Sequence, residues 1–154
     1  QYQYVRQPEV LAGGKVREQI SSFGDIPETS EFHKVADDLA EMLCRKSSAQ
    51  QFAAPLHFNE FNLQRYDKGS LGVTPHKEGK SCLNLIAVFI LKGDAKFAIC
   101  RDRSGKDPEY FDTTPGNVIL MRGVGFYGKN DQPMHVVTDV TSERIVFTMR
   151  QKIR

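Results

Sequence analysis

The sequence has 154 residues, 40% hydrophobic and 26% charged, with 21 lysines and arginines against 19 acidic residues and a formal net charge of +2. That length suits a single domain with a sizeable core, and the balance excludes a disordered chain and lacks the basic excess of a dedicated nucleic-acid binder. The longest apolar run, Leu83–Leu91, contains Asn84 and is too short to cross a bilayer, so no membrane partner is expected.

Residues 1–28 are poorly patterned, with Gly13-Gly14 and Gly24 as breaks and Pro27 closing the segment. A helix is predicted over about 30–46. Thr29 or Ser30 can cap it, Phe32, Val35, Ala36, Leu39, Ala40 and Leu43 recur at helical spacing, and Arg45 and Lys46 suit its carboxyl end. His33 on this helix reads as a surface or packing residue. From Phe58 onward the pattern changes to short strands: Asn59–Tyr66, Leu83–Leu91, Lys96–Arg101, Val118–Arg122, Met134–Val140 and Glu143–Gln151. Turns at Asp67-Lys-Gly69, Lys92-Gly-Asp94, Ser104-Gly-Lys106 and Pro115-Gly116 separate them. One helix before many strands predicts a mainly β domain with flanking helices (α+β), a sheet sandwich or barrel. Residues 1–58 would form an amino-terminal extension of a single domain, and 59–152 its core.

Cys44, Cys82 and Cys100 are odd in number and have no metal-binding or redox spacing. No basic-then-apolar stretch heads the chain. Both points give the expectation of a cytoplasmic protein. Lys77, Lys80, Arg101, Arg103 and Lys106 fall near the candidate site and read individually as a solvated basic rim.

The residues that carry chemistry are His76-Lys77-Glu78, His135 and Arg144-Ile-Val-Phe-Thr-Met-Arg150-Gln. Two imidazoles and a carboxylate can hold a ferrous ion on one face and leave the other open. Residues two apart on an extended segment share a side, so His76 and Glu78 can serve one ion, with His135 as the third ligand. His57 with Glu60 is the weaker alternative, because that spacing puts them on opposite faces. On the last strand Arg144, Val146, Thr148 and Arg150 share one parity, while Ile145, Phe147 and Met149 form the core face toward the helix. Two guanidinium groups in a barrel interior imply a buried anion; the plainer alternative pairs them with carboxylates of the same domain.

Gln64-Arg65-Tyr66-Asp-Lys-Gly69, His76-x-Glu78, Pro115-Gly116-Asn-Val-Ile-Leu-Met, His135 and the closing R-I-V-F-T-M-R-Q together resemble the AlkB-like branch of the Fe(II)- and 2-oxoglutarate-dependent dioxygenases. The resemblance covers residues 59–152. It implies a double-stranded β-helix, or jelly roll. His76, Glu78 and His135 would bind iron, Arg144 would hold the distal carboxylate of 2-oxoglutarate, and Arg150 would lie near its proximal carboxylate and the metal ligands. Tyr66 and Gln64 would hydrogen-bond the co-substrate. Glu78 replaces the usual Asp, Val146 replaces an Asn of the closing motif, and the interval from His135 to Arg144 is short. The sequence has no tryptophan, and no aromatic-rich lid precedes residue 58.

The implied reaction consumes molecular oxygen and 2-oxoglutarate, forms succinate and carbon dioxide, and hydroxylates a C–H bond of an organic substrate. A small molecule or other non-duplex target is expected. Oxidative demethylation of alkylated nucleobases is the alternative, with nucleic acid not favoured by charge. A non-catalytic ligand-binding jelly roll and a cupin-type enzyme without a keto acid are the rival classes. Oligomeric state is not legible.

Overall fold

The computed structural model describes residues 7–12 and 14–153. Three short strands, β1 (Val10–Ala12), β2 (Val16–Gln19) and β3 (Ser21–Phe23), precede helix α1 (Glu31–Lys46). Eight more follow: β4 (Glu60–Tyr66), β5 (Gly72–His76), β6 (Cys82–Lys92), β7 (Lys96–Cys100), β8 (Glu109–Phe111), β9 (Val118–Arg122), β10 (Met134–Thr138) and β11 (Arg144–Lys152). They form a six-stranded sheet ordered β1-β2-β5-β10-β7-β8 and a five-stranded sheet ordered β3-β4-β11-β6-β9. Pairing within both sheets is antiparallel, which gives a jelly roll.

Side-chain parity divides the interior into two layers. Ile86, Val88 and Ile90 of β6 and Val146 of β11 point between the sheets, where they meet Val73, Phe97, Met121 and Val137. Leu85, Ala87, Phe147 and Met149 point the other way and pack under α1 against Ala36 and Ala40. The expected core face of the last strand is therefore correct for Phe147 and Met149, and Phe32 stacks 4.7 Å from the Phe147 ring.

Helix α1 starts where its cap predicts. The Ser30 hydroxyl accepts a hydrogen bond from the Phe32 amide at 3.1 Å, Glu31 occupies the first turn, and Arg45 and Lys46 the last. Val35 departs from the expected face: it is 37% exposed, because the seam runs through the small residues Ala36 and Ala40. His33 packs on Phe61, with ring centroids 4.5 Å apart. Among the described residues no helix is long and apolar enough to cross a membrane.

The poorly patterned amino-terminal segment forms strands after all, although residues 1–6 and Gly13 lie outside the described residues. Polar tethers hold it. The Gln7 amide nitrogen donates to Ser21 Oγ (2.8 Å) and the Arg65 carbonyl (3.0 Å), while its oxygen accepts from the Asp67 amide (3.0 Å). Gln19 likewise donates to the Gln7 carbonyl and accepts from the Leu71 amide, both at 2.7 Å. Both glutamines are buried and satisfied. Pro75 lies within strand β5. At its start Gly72 has φ +76°, and a Cβ there would lie 2.1 Å from the Val137 carbonyl oxygen. Glycine thus lets β5 close on β10.

Candidate metal centre and anion pocket

Antiparallel register does the first work at the site. His76, the last residue of β5, sits directly opposite His135, the second residue of β10, and their ring centroids are 4.2 Å apart. Glu78 follows in the loop after β5. One donor atom from each of these three residues lies within 4.8 Å of the others, close enough for one ion to engage all three. Glu78 Oε1 and His135 Nε2 are 3.7 Å apart.

Backbone carbonyls orient both imidazoles. Nδ1 of His76 lies 2.9 Å from the Thr74 oxygen, and Nδ1 of His135 lies 3.3 Å from the Pro133 oxygen. With the Nδ1 protons donated there, each Nε2 lone pair is free for a metal. Burial, then the charge of nearby His76, pushes the His135 pKa down to about 4, against the opposing effect of Glu78. His135 is thus a neutral donor at pH 7. Two imidazoles and one carboxylate fit Fe(II).

Arg150 clamps the carboxylate. Its Nε donates to Glu78 Oε2 at 2.9 Å and its Nη2 to Oε1 at 3.2 Å, while Nη1 donates to Thr148 Oγ1 at 3.1 Å. Both side chains of the pair are 13% exposed. Burial alone would raise the Glu78 pKa, but the charge and hydrogen bonds of Arg150 outweigh it and hold the carboxyl below its ordinary value. The pairing alternative raised for the two arginines is therefore realised at Arg150.

Arg144 is different. It is 1% exposed, and its Nε and Nη1 are buried with no hydrogen-bond partner among the described residues. It faces Tyr66 across β4–β11, with the guanidinium carbon 4.9 Å from the ring centroid. Burial pushes its pKa down, yet arginine remains a cation at neutral pH. Tyr66 is pushed upward, by burial first, against the charge of Arg144, so it stays a phenol. Its hydroxyl donates to Gln64 Oε1 at 3.3 Å.

All seven candidates, Gln64, Tyr66, His76, Glu78, His135, Arg144 and Arg150, line one cavity of about 140 Å³. His57 does not line it, and Glu60 instead approaches Arg150 at 3.8 Å. Lys77 and Arg101 line a neighbouring hollow with Arg122. Sequence reasoning missed Glu18 and Ile20, which bring the amino-terminal hairpin to the cavity wall. Val16-Arg-Glu-Gln-Ile20 has no apolar alternation that could have signalled them. It also missed Cys82, whose thiol lies 3.9 Å from Glu78 Oε2.

No family model matches the sequence, and no curated protein matches it. Solved structures do. A Pseudomonas putida prolyl-4-hydroxylase aligns over 90% of this chain and 69% of its own, with 12% identity and a TM-score of 0.57. A 2OG-Fe(II) oxygenase family protein from Burkholderia pseudomallei aligns over 94% and 70%, with 12% identity and a TM-score of 0.57. OsALKBH1 aligns over 96% and 82%, with 17% identity and a TM-score of 0.55. At such identities these neighbours establish the architecture alone: the chain has the jelly-roll fold that these proteins share.

Proposed function

We propose that the chain is a single-domain Fe(II)- and 2-oxoglutarate-dependent oxygenase that hydroxylates a C–H bond of an organic substrate. His76, Glu78 and His135 would hold the iron, which supplies the oxygen-activating redox chemistry when bound. One observation carries the reading: among the described residues Arg144 keeps two buried guanidinium nitrogens, Nε and Nη1, without a hydrogen-bond partner in the same cavity as a His-Glu-His cluster. An unpaired buried cation is costly, so its retention argues for an anionic ligand. A carboxylate of 2-oxoglutarate suits it, received bidentately by the guanidinium, with Tyr66 and Gln64 as further hydrogen-bonding groups. Arg150 acts on Glu78, holding the longer carboxylate folded back toward the imidazoles and ionised. Overall, 2-oxoglutarate, oxygen and the C–H compound give succinate, carbon dioxide and the alcohol.

The hollow beside the metal residues supports a substrate without a polyanionic backbone over alkylated nucleic acid. Two of its three cations are paired, Arg101 with Asp107 at 3.0 Å and Arg122 with Asp131 at 2.6 Å, which leaves Lys77 as the third. Incubating the protein with Fe(II), 2-oxoglutarate and ascorbate tests the reading. Slow oxygen-dependent succinate release without added substrate is expected, and its loss in His76→Ala. A protein that binds the ion without ever forming succinate is a binding module, and one that turns over substrate with no keto acid is a cupin-type enzyme; either outcome ends the proposal.

A further inference from the structure

The metal cavity, about 140 Å³, is smaller than the roughly 300–1,000 Å³ of ordinary small-molecule sites, and 2-oxoglutarate must share it. The organic substrate needs room elsewhere. A second chamber of about 320 Å³ lies between β7, β8 and β9, where the end strands of the two sheets, β8 and β9, face one another without pairing among the described residues. Phe97 and Met121 line both spaces. The Phe97 ring stacks 5.7 Å from His135 on one side and lies 6.2 Å from Phe111 on the other. Rings thus run without a break from the proposed metal ligand to the chamber mouth. There Phe111 and Leu120 remain 40% and 43% exposed.

The chamber's walls are mostly apolar, and its one charged group, Asp112, is solvent-exposed. Ile99, Ile119 and Leu120 form its walls with Phe111, and its polar groups are Asp112 and Asn117. Asp112 Oδ1 is already engaged by the Thr114 amide at 2.9 Å and hydroxyl at 2.6 Å.

We infer that this chamber receives an uncharged hydrocarbon group of the substrate, entering between β8 and β9 and packing against Phe97 and Met121 beside the iron site. The inference rests on the oxygenase reading for its position in the reaction, while occupancy itself is measurable without metal. Toluene serves as the probe. In protein labelled with ¹³C at the methionine methyls, toluene should shift the Met121 signal saturably. Filling the chamber with Ile99→Trp, or from the opposite wall with Ile119→Phe, should weaken that response at least fivefold. Tyr127→Ala, which does not line the chamber, should leave it unchanged. With Mn(II) bound, the paramagnetic ion should accelerate relaxation of the bound toluene protons.

An unsaturable or absent Met121 shift in the wild-type protein overturns the inference, whatever the variants do. A saturable shift that both filling variants leave intact overturns it equally, as does toluene bound with no relaxation effect in Mn(II)-loaded protein. Failure of the wild-type protein to bind Mn(II) instead defeats the oxygenase reading, and the Met121 titration still decides whether the chamber takes hydrocarbon.

Discussion

Replacing Arg150 with methionine keeps most of the side-chain volume but removes both hydrogen bonds to Glu78, at 2.9 and 3.2 Å. The carboxylate is then left in a site where it is only 13% exposed. Breaking a buried pair from one side costs about 3–5 kcal/mol, whereas exposed pairs contribute about 0–1. The residual exposure puts Arg150→Met at the low end of the buried range, about 3 kcal/mol. In a domain of this size that lowers the melting temperature by roughly 6–12 °C. Urea unfolding of the metal-free protein at pH 7 measures it. With Arg150 gone, burial remains and raises the Glu78 pKa. Metal binding should then weaken sooner with falling pH than in the wild type, where Arg150 holds the carboxyl below its ordinary value. Adding Glu78→Gln should recover much of the loss, giving a coupling of about 2 kcal/mol in a double-mutant cycle. A loss below about 1 kcal/mol with no coupling would mean that the pair behaves as a solvated surface contact, and the clamp would be wrong.

Arg144→Met should separate stability from function: removing a buried cation whose Nε and Nη1 have no hydrogen-bond partner among the described residues should stabilise the metal-free protein by about 1–3 kcal/mol. It should also weaken 2-oxoglutarate binding roughly ten- to a hundredfold in a Mn(II)-loaded titration. For His135, the folded pKa of about 4 lies below the ordinary value of 6.5, so between them the unfolded chain binds a proton that the folded one does not. Stability of the metal-free protein should therefore rise with pH across this window, with up to about 3 kcal/mol lost from pH 7 to pH 4. His135→Gln should flatten that part of the urea-midpoint profile. Gly72→Ala should cost at least about 2 kcal/mol and weaken metal binding, since its Cβ would drive β5 from β10 and separate His76 from His135.

Periodicity made much of this fold legible. The Ser30 cap and the Ala36–Ala40 seam located α1, and strict alternation on the last strand assigned Phe147 and Met149 to the helix side and Arg144 to the interior. What stayed hidden depends on long-range partners. β3 is exposed throughout, and β8 is a three-residue edge strand, also exposed, so neither carries an apolar alternation. The amino-terminal hairpin is fixed by the amides of Gln7 and Gln19, whose partners lie more than fifty residues away in Asp67 and Leu71. Asn84 looked only like an interruption in an apolar run. It is a buried hub with φ +56°, accepting from the Ala53 amide and donating to the Ala54 carbonyl and Gln151 Oε1, each at 2.8 Å. At the site, residue types pointed to an anion for the two arginines as a pair, but only the register and distances could give them different work. Arg150 meets Glu78, while Arg144 meets an aromatic face and, among the described residues, forms no ion pair with a carboxylate.

Sequential titration calorimetry, first with Mn(II) and then with 2-oxoglutarate, tests the central claim most directly. One metal ion should bind per chain, and one 2-oxoglutarate should bind tightly only after it. His135→Ala should abolish the first event, and Arg144→Met should cripple the second while sparing the first. Metal binding that persists unchanged in His135→Ala, or 2-oxoglutarate binding indifferent to both metal and Arg144, would contradict the account.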